Sequence, residues 1–420
     1  MGINTDAVPL TTGVDIFTGT SGSDTFVGTY NDAGTGTWNV SDVLDGGAGI
    51  DTLNITPIGV AAITPADAYW TNITNIEKIV INTTGAGAQT ITTGTAFQAA
   101  FAANGVDMTT ASTAGAINID MQTGAFSGAA IIRATSTAGV QTILTGTGVA
   151  SVTSTSTAGA INITSANLAA VTATSTDGVQ TIVTGADSAT TVTATSIAGD
   201  QNITGANLAR VDATTTGAGV QAIVSTGASD VIVNATSDLG ATTITTGVGN
   251  DTITLFASAA AGANTITAAA GADTITLYSN FSSVDTINQA DGDSFVSTGN
   301  TTDSSIGVGE TITFADGVDI INGFNATVDT LNVGTAGAAV SGIGRSDAAL
   351  AGAAGTVYFS GAYDAAAGVF TIAANGAGAD TLVLDATVGG GGGDRNVTTA
   401  DTWVVLVGVD SADLVAGSFT

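Results

Sequence analysis

Ser151-Val-Thr-Ser-Thr-Ser-Thr-Ala-Gly159-Ala-Ile-Asn-Ile-Thr164 decides the reading of the whole chain. Val152, Ser154 and Ser156 alternate with Thr153, Thr155 and Thr157. Side chains of a strand point alternately to its two faces, so the small groups face inward and the threonines outward. The Ser-Thr-Ala-Gly phrase then turns the chain into a second, Val/Ile/Thr-rich strand. This unit recurs through residues 108–246. Its glycine falls at Gly115, Gly139, Gly159, Gly178, Gly199, Gly219 and Gly240, with gaps by subtraction of 24, 20, 19, 21, 20 and 21. A near-constant period of roughly 20 residues marks a solenoid, in which each repeat is one coil stacked on the last.

Neighbouring coils repeat the alternation. Val171, Ala173 and Ser175 stand against Thr172, Thr174 and Thr176; Val192 and Ala194 against Thr193 and Thr195; Val211 and Ala213 against Asp212 and Thr214. Second strands are predicted over 140–145, 160–164, 179–184 and 220–225. Ala166-Asn-Leu-Ala-Ala-Val171 returns 40 residues later as Ala206-Asn-Leu-Ala-Arg-Val211, so coils alternate between two subtypes.

Composition fits a thin repetitive core. Of 420 residues, 44% are hydrophobic but only 5% aromatic, and the apolar ones are mostly Ala, Val and Ile. Lys78, Arg133, Arg210, Arg345 and Arg395 face 35 acids, for a formal net charge of −30. Nucleic acid and anionic membrane are thereby disfavoured as partners, because binding them rests on basic patches. Nearly all the acid is Asp, with Glu77 and Glu310 the two glutamates. Asp among Gly and Asn at turns points to a hard cation held by loop oxygens. Without Cys or His, thiolate sites, disulfides and imidazole chemistry are excluded, and no enzyme is expected. No apolar run approaches the ~20 residues of a membrane helix, so membrane insertion is not expected. The opening Met1-Gly-Ile-Asn-Thr-Asp6 lacks the cationic and apolar regions of a secretory signal peptide.

The candidate cation turns lie on either side of the repeat. Gly13-Val-Asp15-Ile-Phe17 and Gly22-Ser-Asp24-Thr-Phe26 are nine residues apart, and Gly46-Gly47-Ala-Gly49-Ile-Asp51-Thr-Leu53 matches the nonapeptide G-G-x-G-x-D-x-U-x at every specified position. Glycines let the turn aim carbonyls inward, Asp supplies charge, and the apolar residue two further on anchors the turn, which together suit Ca²⁺. Later come Gly249-Asn-Asp251, Asn264-Thr-Ile266, Gly271-Ala-Asp273, Asp285-Thr-Ile287, Asp319-Ile-Ile321, Asp329-Thr-Leu331 and Gly378-Ala-Asp380. Asn264 replaces a charged oxygen by a neutral one, which weakens that turn as a cation site. The repeat itself reads as a Ca²⁺-poor spacer between calcium-stapled ends.

Five segments follow: a calcium-binding segment at 1–60, a helical capping connector at 61–107, the solenoid at 108–246, calcium-binding coils at 247–335, and a β-rich region at 336–420. The connector carries two predicted helices, near 64–72 and 95–105, expected to cover an open end of the stack. The fold class is all-β: a parallel β-solenoid, β-helix or β-roll in type, with short helical capping segments and a β-rich C-terminal region. From Tyr363 on, the residues read as a hairpin, a glycine run at 389–393 and a final strand.

The nonapeptides, Thr11-Thr-Gly-Val-Asp15 through Asn54, the phrase Asn75-Ile-Glu-Lys-Ile-Val-Ile81 and the tail from Tyr363 resemble the RTX family of bacterial calcium-binding repeat proteins. Within it, the similarity is to surface-layer and β-strand-repeat proteins exported by type I secretion. That resemblance implies Ca²⁺, an uncleaved C-terminal secretion signal, an extracellular or cell-surface location, and a homo-oligomer or polymer, with cell-surface polysaccharide as a further partner. The function it implies is a calcium-dependent structural protein that self-assembles into a surface layer or extracellular filament. An adhesin or biofilm-matrix protein and, from the outward Thr-x-Thr rows, an ice-binding solenoid stay open at this point.

Overall fold

The computed structural model describes residues 7–187, 189–258, 262–278, 283–289, 305–314, 317–333, 338–339, 342–344, 356–385 and 402–420. The chain is all-β and forms a parallel β-solenoid of about 13 turns. Its contacts divide it into two compact units, Met1–Leu208 and Ala209–Thr420. Arg345, Arg395 and the glycine run at 389–393 lie outside the described residues.

In the first unit the strands are β1 (Val8–Pro9), β2 (Ile16–Thr18), β3 (Thr25–Tyr30), β4 (Val43–Asp45), β5 (Thr52–Pro57), β6 (Ile73–Thr74), β7 (Lys78–Thr83), β8 (Gln89–Thr92), β9 (Val106–Ser112), β10 (Ile117–Asp120), β11 (Ala130–Ser136), β12 (Gln141–Leu144), β13 (Ala150–Ser156), β14 (Ile161–Ser165), β15 (Leu168–Ser175), β16 (Gln180–Thr184), β17 (Thr190–Ser196) and β18 (Gln201–Gly205). Helix α1 (Thr95–Phe101) lies between β8 and β9. Strands β1, β3, β5, β7, β9, β11, β13, β15 and β17 pair in parallel as one sheet. Strands β8, β10, β12, β14, β16 and β18 form a second.

Register makes the interior out of columns. Ile132, Val152, Val171 and Val192 align on one sheet, and Ile119, Ile143, Ile163, Ile182 and Ile203 on the other. All are buried, and each such side chain contributes roughly 1.5–3 kcal/mol. The interior is also polar in a way the alternation did not show. Gln89, Gln141, Gln180 and Gln201 are fully buried. Gln180 Nε2 donates to Ser175 Oγ at 2.9 Å and to the Thr195 carbonyl at 2.7 Å, and Gln141 repeats the pattern with Ser136 and Thr155. Each amide thereby ties an inward serine of one strand to a carbonyl of the next strand in the sheet.

The recurring phrase has a mechanical reason. Ser136 and Ser175 point inward and donate to the carbonyls of Gly139 and Gly178, both at 2.7 Å, closing the turn. A Cβ on Gly159 would lie 2.1 Å from the Gly139 carbonyl oxygen, and one on Gly178 2.1 Å from that of Gly159. Glycine recurs there because successive turns stack backbone on backbone. The Asn of the alternate coils is also accounted for: Asn167 donates to the Thr147 carbonyl at 3.2 Å, and Asn207 to that of Ala186 at 3.3 Å.

The predicted helices exist but do not cap an end. One is a single 3-10 turn, Asp67–Trp70, and the other is α1. Strands β5, β7 and β9 pair straight through residues 61–107, so this stretch is further coils with insertions. The insertions bring bulky residues together: Tyr30, Trp38, Tyr69, Trp70, Phe97, Phe101 and Phe126 form a continuous set of ring contacts at 4.6 to 6.1 Å. Asp67 fixes α1 by accepting the N–H groups of Ala96 at 2.8 Å and Phe97 at 3.0 Å.

In the second unit the strands continue as β19 (Leu208–Thr215), β20 (Gln221–Ser225), β21 (Ile232–Ser237), β22 (Thr242–Thr245), β23 (Thr252–Ala257), β24 (Asn264–Thr267), β25 (Thr274–Leu277), β26 (Asp285–Asn288), β27 (Ser305–Gly307), β28 (Thr311–Thr313), β29 (Asp319–Asn322), β30 (Thr330–Asn332), β31 (Ala338–Ala339), β32 (Gly342–Gly344), β33 (Val357–Asp364), β34 (Val369–Ile372), β35 (Asp380–Asp385) and β36 (Thr402–Val407). Parallel pairing runs β19, β21, β23, β25, β29, β36 and, opposite, β20, β22, β24, β26, β30. The tail is antiparallel: β33 turns at Gly368 (φ +63°) into β34, and β35 lies between β33 and β36. Its core is Val357, Phe359, Phe370, Leu382, Trp403 and Val405, all fully buried.

Candidate metal centre

The candidate acids sit at strand starts: Asp15, Asp24, Asp51, Asp251, Asp273 and Asp329 immediately before a strand, and Asp285, Asp319 and Asp380 as its first residue. In the first unit, Asp24 and Asp51 are 1% and 0% exposed. The Asp24 N–H donates to Asp51 Oδ1 at 2.6 Å, and the Asp51 N–H donates to Glu77 Oε2 at 2.9 Å. Asp24 Oδ2 takes the N–H and hydroxyl of Thr20 at 2.6 and 3.0 Å. A second corner repeats the device: the Asp15 N–H donates to Asp42 Oδ1 at 2.9 Å, while Asp15 Oδ2 accepts the Thr11 N–H at 2.7 Å. Asp42, Asp51 and Glu77 are thus rungs of a ladder, each receiving the backbone N–H of an acid in the coil before it.

Two rungs escaped the motif reading. Asp42 lies in Ser41-Asp42-Val43-Leu44, which keeps the Asp-x-apolar spacing without glycines. Glu77, in Asn75-Ile76-Glu77-Lys78-Ile79, puts a longer carboxylate at the same place. The signal common to all is an acid immediately before a strand or at its first residue.

The glycines divide into two kinds. Gly47 and Gly49 have φ of +89° and +128°, where any other residue is strained. A Cβ on Gly46 would lie 1.9 Å from the Asn75 carbonyl oxygen and 2.6 Å from Asp51 Oδ2; one on Gly47 would lie 2.3 Å from the Thr20 carbonyl oxygen. These turns therefore bring backbone oxygens against the next turn and beside a carboxylate. Around Gly13 and Gly22 there is room for a side chain, and their N–H groups bond to Thr11 and Thr20 hydroxyls.

In the second unit, Val231 N–H donates to Asp251 Oδ1 at 2.8 Å, Asp251 N–H to Asp273 Oδ1 at 2.7 Å, and Asp273 N–H to Asp319 Oδ1 at 2.8 Å. Gly249 and Gly271 stack in the adjoining turns: a Cβ on Gly271 would lie 1.9 Å from the Gly249 carbonyl oxygen. The opposite corner carries Asn264, Asp285 and Asp329. Asn264 Oδ1 accepts the Thr242 N–H at 2.9 Å, its Nδ2 donates to Asp285 Oδ1 at 2.7 Å, and Asp285 N–H donates to Asp329 Oδ1 at 3.0 Å. Asn264 is a competent rung, because the ladder needs an acceptor oxygen and an amide supplies one. Gly378 and Asp380 fall elsewhere. Asp380 takes the N–H groups of Tyr363 at 2.8 Å and Gly408 at 2.9 Å within the antiparallel tail, and Gly378 packs against the Gly361 backbone.

Burial pushes the carboxyls of Asp42, Asp51, Asp251 and Asp285 above their usual range, and that of Asp329 up to about 6. Among the described residues, the ion pairs are Arg133 with Asp107 and Arg210 with Asp212, neither on a rung. Asp24 Oδ1 and Asp51 Oδ2 are buried oxygens with no hydrogen-bond donor. Among the described residues, no three acids are placed to ligate one metal ion together. A cation here would be held by one or two carboxylate oxygens and turn carbonyls, a donor set that fits Ca²⁺. Comparison with protein-family models, curated proteins and solved structures finds no match.

Proposed function

We propose that this chain is a secreted, RTX-type structural protein that assembles with copies of itself, in the presence of Ca²⁺, into a surface layer or extracellular filament. The observation that carries the calcium part is the pair of donorless, buried carboxylate oxygens, Asp24 Oδ1 and Asp51 Oδ2, set beside stacked glycine turns. Asp24 and Asp51 with the carbonyl of Thr20, and Asp251 with the carbonyl of Gly249, are the groups that would hold the ion. Ca²⁺ supplies charge neutralisation for carboxylates that burial otherwise penalises. With 35 acids against 5 bases, the chain repels itself when the ion is scarce and compacts where it is abundant, which suits export before folding. Self-assembly is supported by a regular parallel stack whose acids are committed to backbone N–H groups as rungs.

The test is direct. Purified chain in millimolar Ca²⁺ is expected to form sheets or filaments visible by electron microscopy and to melt cooperatively; excess EGTA is expected to dissolve the assemblies and lower the melting temperature. Assemblies and melting that are indifferent to EGTA refute the calcium part.

A further inference from the structure

The outward face of β13, β15 and β17 is a lattice. Register places Ser151, Ala170 and Thr191 in one row, Thr153, Thr172 and Thr193 in the next, and Thr155, Thr174 and Thr195 in a third. All nine are exposed or half-buried, and none is charged. The chain around them carries a net charge of −30. On one side the lattice ends at β11, where Arg133 stands opposite Thr153 and pairs with Asp107. Asp177, Asp187 and Asp200 lie in the turns beyond the strand ends.

From this we infer that the threonine lattice of the first unit is the contact through which one copy of this chain meets another, face to face about a two-fold axis. The inference rests on the self-assembly proposed above and names its surface. Two chains of like charge approach at lowest cost where neither presents a carboxylate. A threonine hydroxyl both donates and accepts, so a hydroxyl lattice is complementary to its own copy, which a row of carboxylates is not. Equal spacing does the rest: strands about 4.8 Å apart, with outward residues about 6.7 Å apart along each strand, superpose on themselves when turned over.

The size of the face says what kind of contact this is. Three strands about 4.8 Å apart and seven residues of about 3.3 Å each span about 14 by 23 Å, or about 330 Å². A stable pair needs about 800 Å² per partner. One such contact is therefore weak alone and effective only when repeated, as in a polymer held by several contacts per subunit.

Thr172 occupies the centre of the lattice, and the chain has no cysteine, which makes two tests clean. Thr172→Lys and Thr172→Glu each place like charges against one another across the contact. Each alone is expected to raise the concentration needed for assembly in Ca²⁺ about tenfold or more, and an equimolar mixture to restore it. Thr172→Cys is expected to give cross-linked dimers with a short bis-maleimide in the assembled state, and Asn202→Cys on β18 none. Circular dichroism melts matching wild type show that the variants fold. If both charged variants assemble like wild type, or their mixture does not recover, or Thr172→Cys cross-links no better than Asn202→Cys, the lattice is not the contact and self-assembly stands by other surfaces. A wild-type chain that never assembles in Ca²⁺ overturns both readings. Inhibition of ice growth by unassembled wild type, lost in Thr172→Lys, together with failed cross-linking, would assign the lattice to ice instead.

Discussion

Gly159→Ala is the sharpest probe of how the coils are held. Its Cβ would stand 2.1 Å from the Gly139 carbonyl oxygen and 2.5 Å from the carbonyl carbon, both backbone atoms that cannot rotate away. Relief to an ordinary contact of about 3.5 Å needs a local opening of more than 1 Å between coils that hydrogen-bond at a spacing of about 4.8 Å. That opening strains the bonds that flank the turn, Thr157 N–H to the Ser136 carbonyl at 3.2 Å and Ala158 N–H to the Thr137 carbonyl at 2.8 Å. Overpacking of this kind costs about 1–3 kcal/mol, and weakening two backbone bonds adds about 1 kcal/mol each. Since Gly159 is not among the positive-φ glycines, alanine's backbone preference returns only about 0.5–1 kcal/mol. The expected net loss is about 2–4 kcal/mol. Gly34 is the control: φ is +69° with open space around its Cβ position, so Gly34→Ala costs only the left-handed conformation, about 1–2 kcal/mol. Urea titrations followed by circular dichroism at fixed Ca²⁺ measure both. A Gly159→Ala chain within about 0.5 kcal/mol of wild type would refute backbone stacking as the reason for the repeating glycine.

Other consequences can be measured in the same way. Gln180→Ala removes the buried donor to Ser175 and Thr195, leaves the Thr195 carbonyl without it and opens a cavity; a loss of about 2–4 kcal/mol in urea is expected, against less than 1 kcal/mol for Thr174→Ala on the outer face. Asp51→Asn keeps an acceptor for the Asp24 N–H, so stability in EGTA is expected to hold or rise while the gain on adding Ca²⁺ falls, and Asp51→Ala is expected to lose about 1–3 kcal/mol in both media. In EGTA, a folded-state value of about 6 for Asp329 against an ordinary 3.8 means that the native chain binds the proton more tightly than the unfolded one. Its stabilising contribution is complete below about pH 4 and is lost as pH rises through 6. Asp42, Asp51, Asp251 and Asp285 shift in the same direction, so the melting temperature in EGTA is expected to rise from pH 7 to pH 5. In excess Ca²⁺ the slope is expected to flatten or reverse, because the ion needs the carboxylates deprotonated.

The sequence by itself determined the stack. Strict alternation in Ser151 to Thr157 and glycines recurring about every 20 residues admit one economical solution, parallel strands in register, because period 2 fixes the faces and a constant repeat fixes the register. It also located most of the acids at strand starts, where an Asp followed two residues later by an apolar anchor fits a corner, though Asp380 keeps that spacing in the antiparallel tail. What those acids do was decided only by the tertiary structure. A rung of the Asp24–Asp51–Glu77 ladder is defined by an N–H 26 or 27 residues away, which no local pattern records. The same holds for the buried Gln180, whose partner Thr195 is 15 residues on, and for the contact of Trp38 with Trp70, in a stretch that strand pairing on both sides places within the stack. Local chemistry sets which way a side chain faces; stacking alone sets what it meets there.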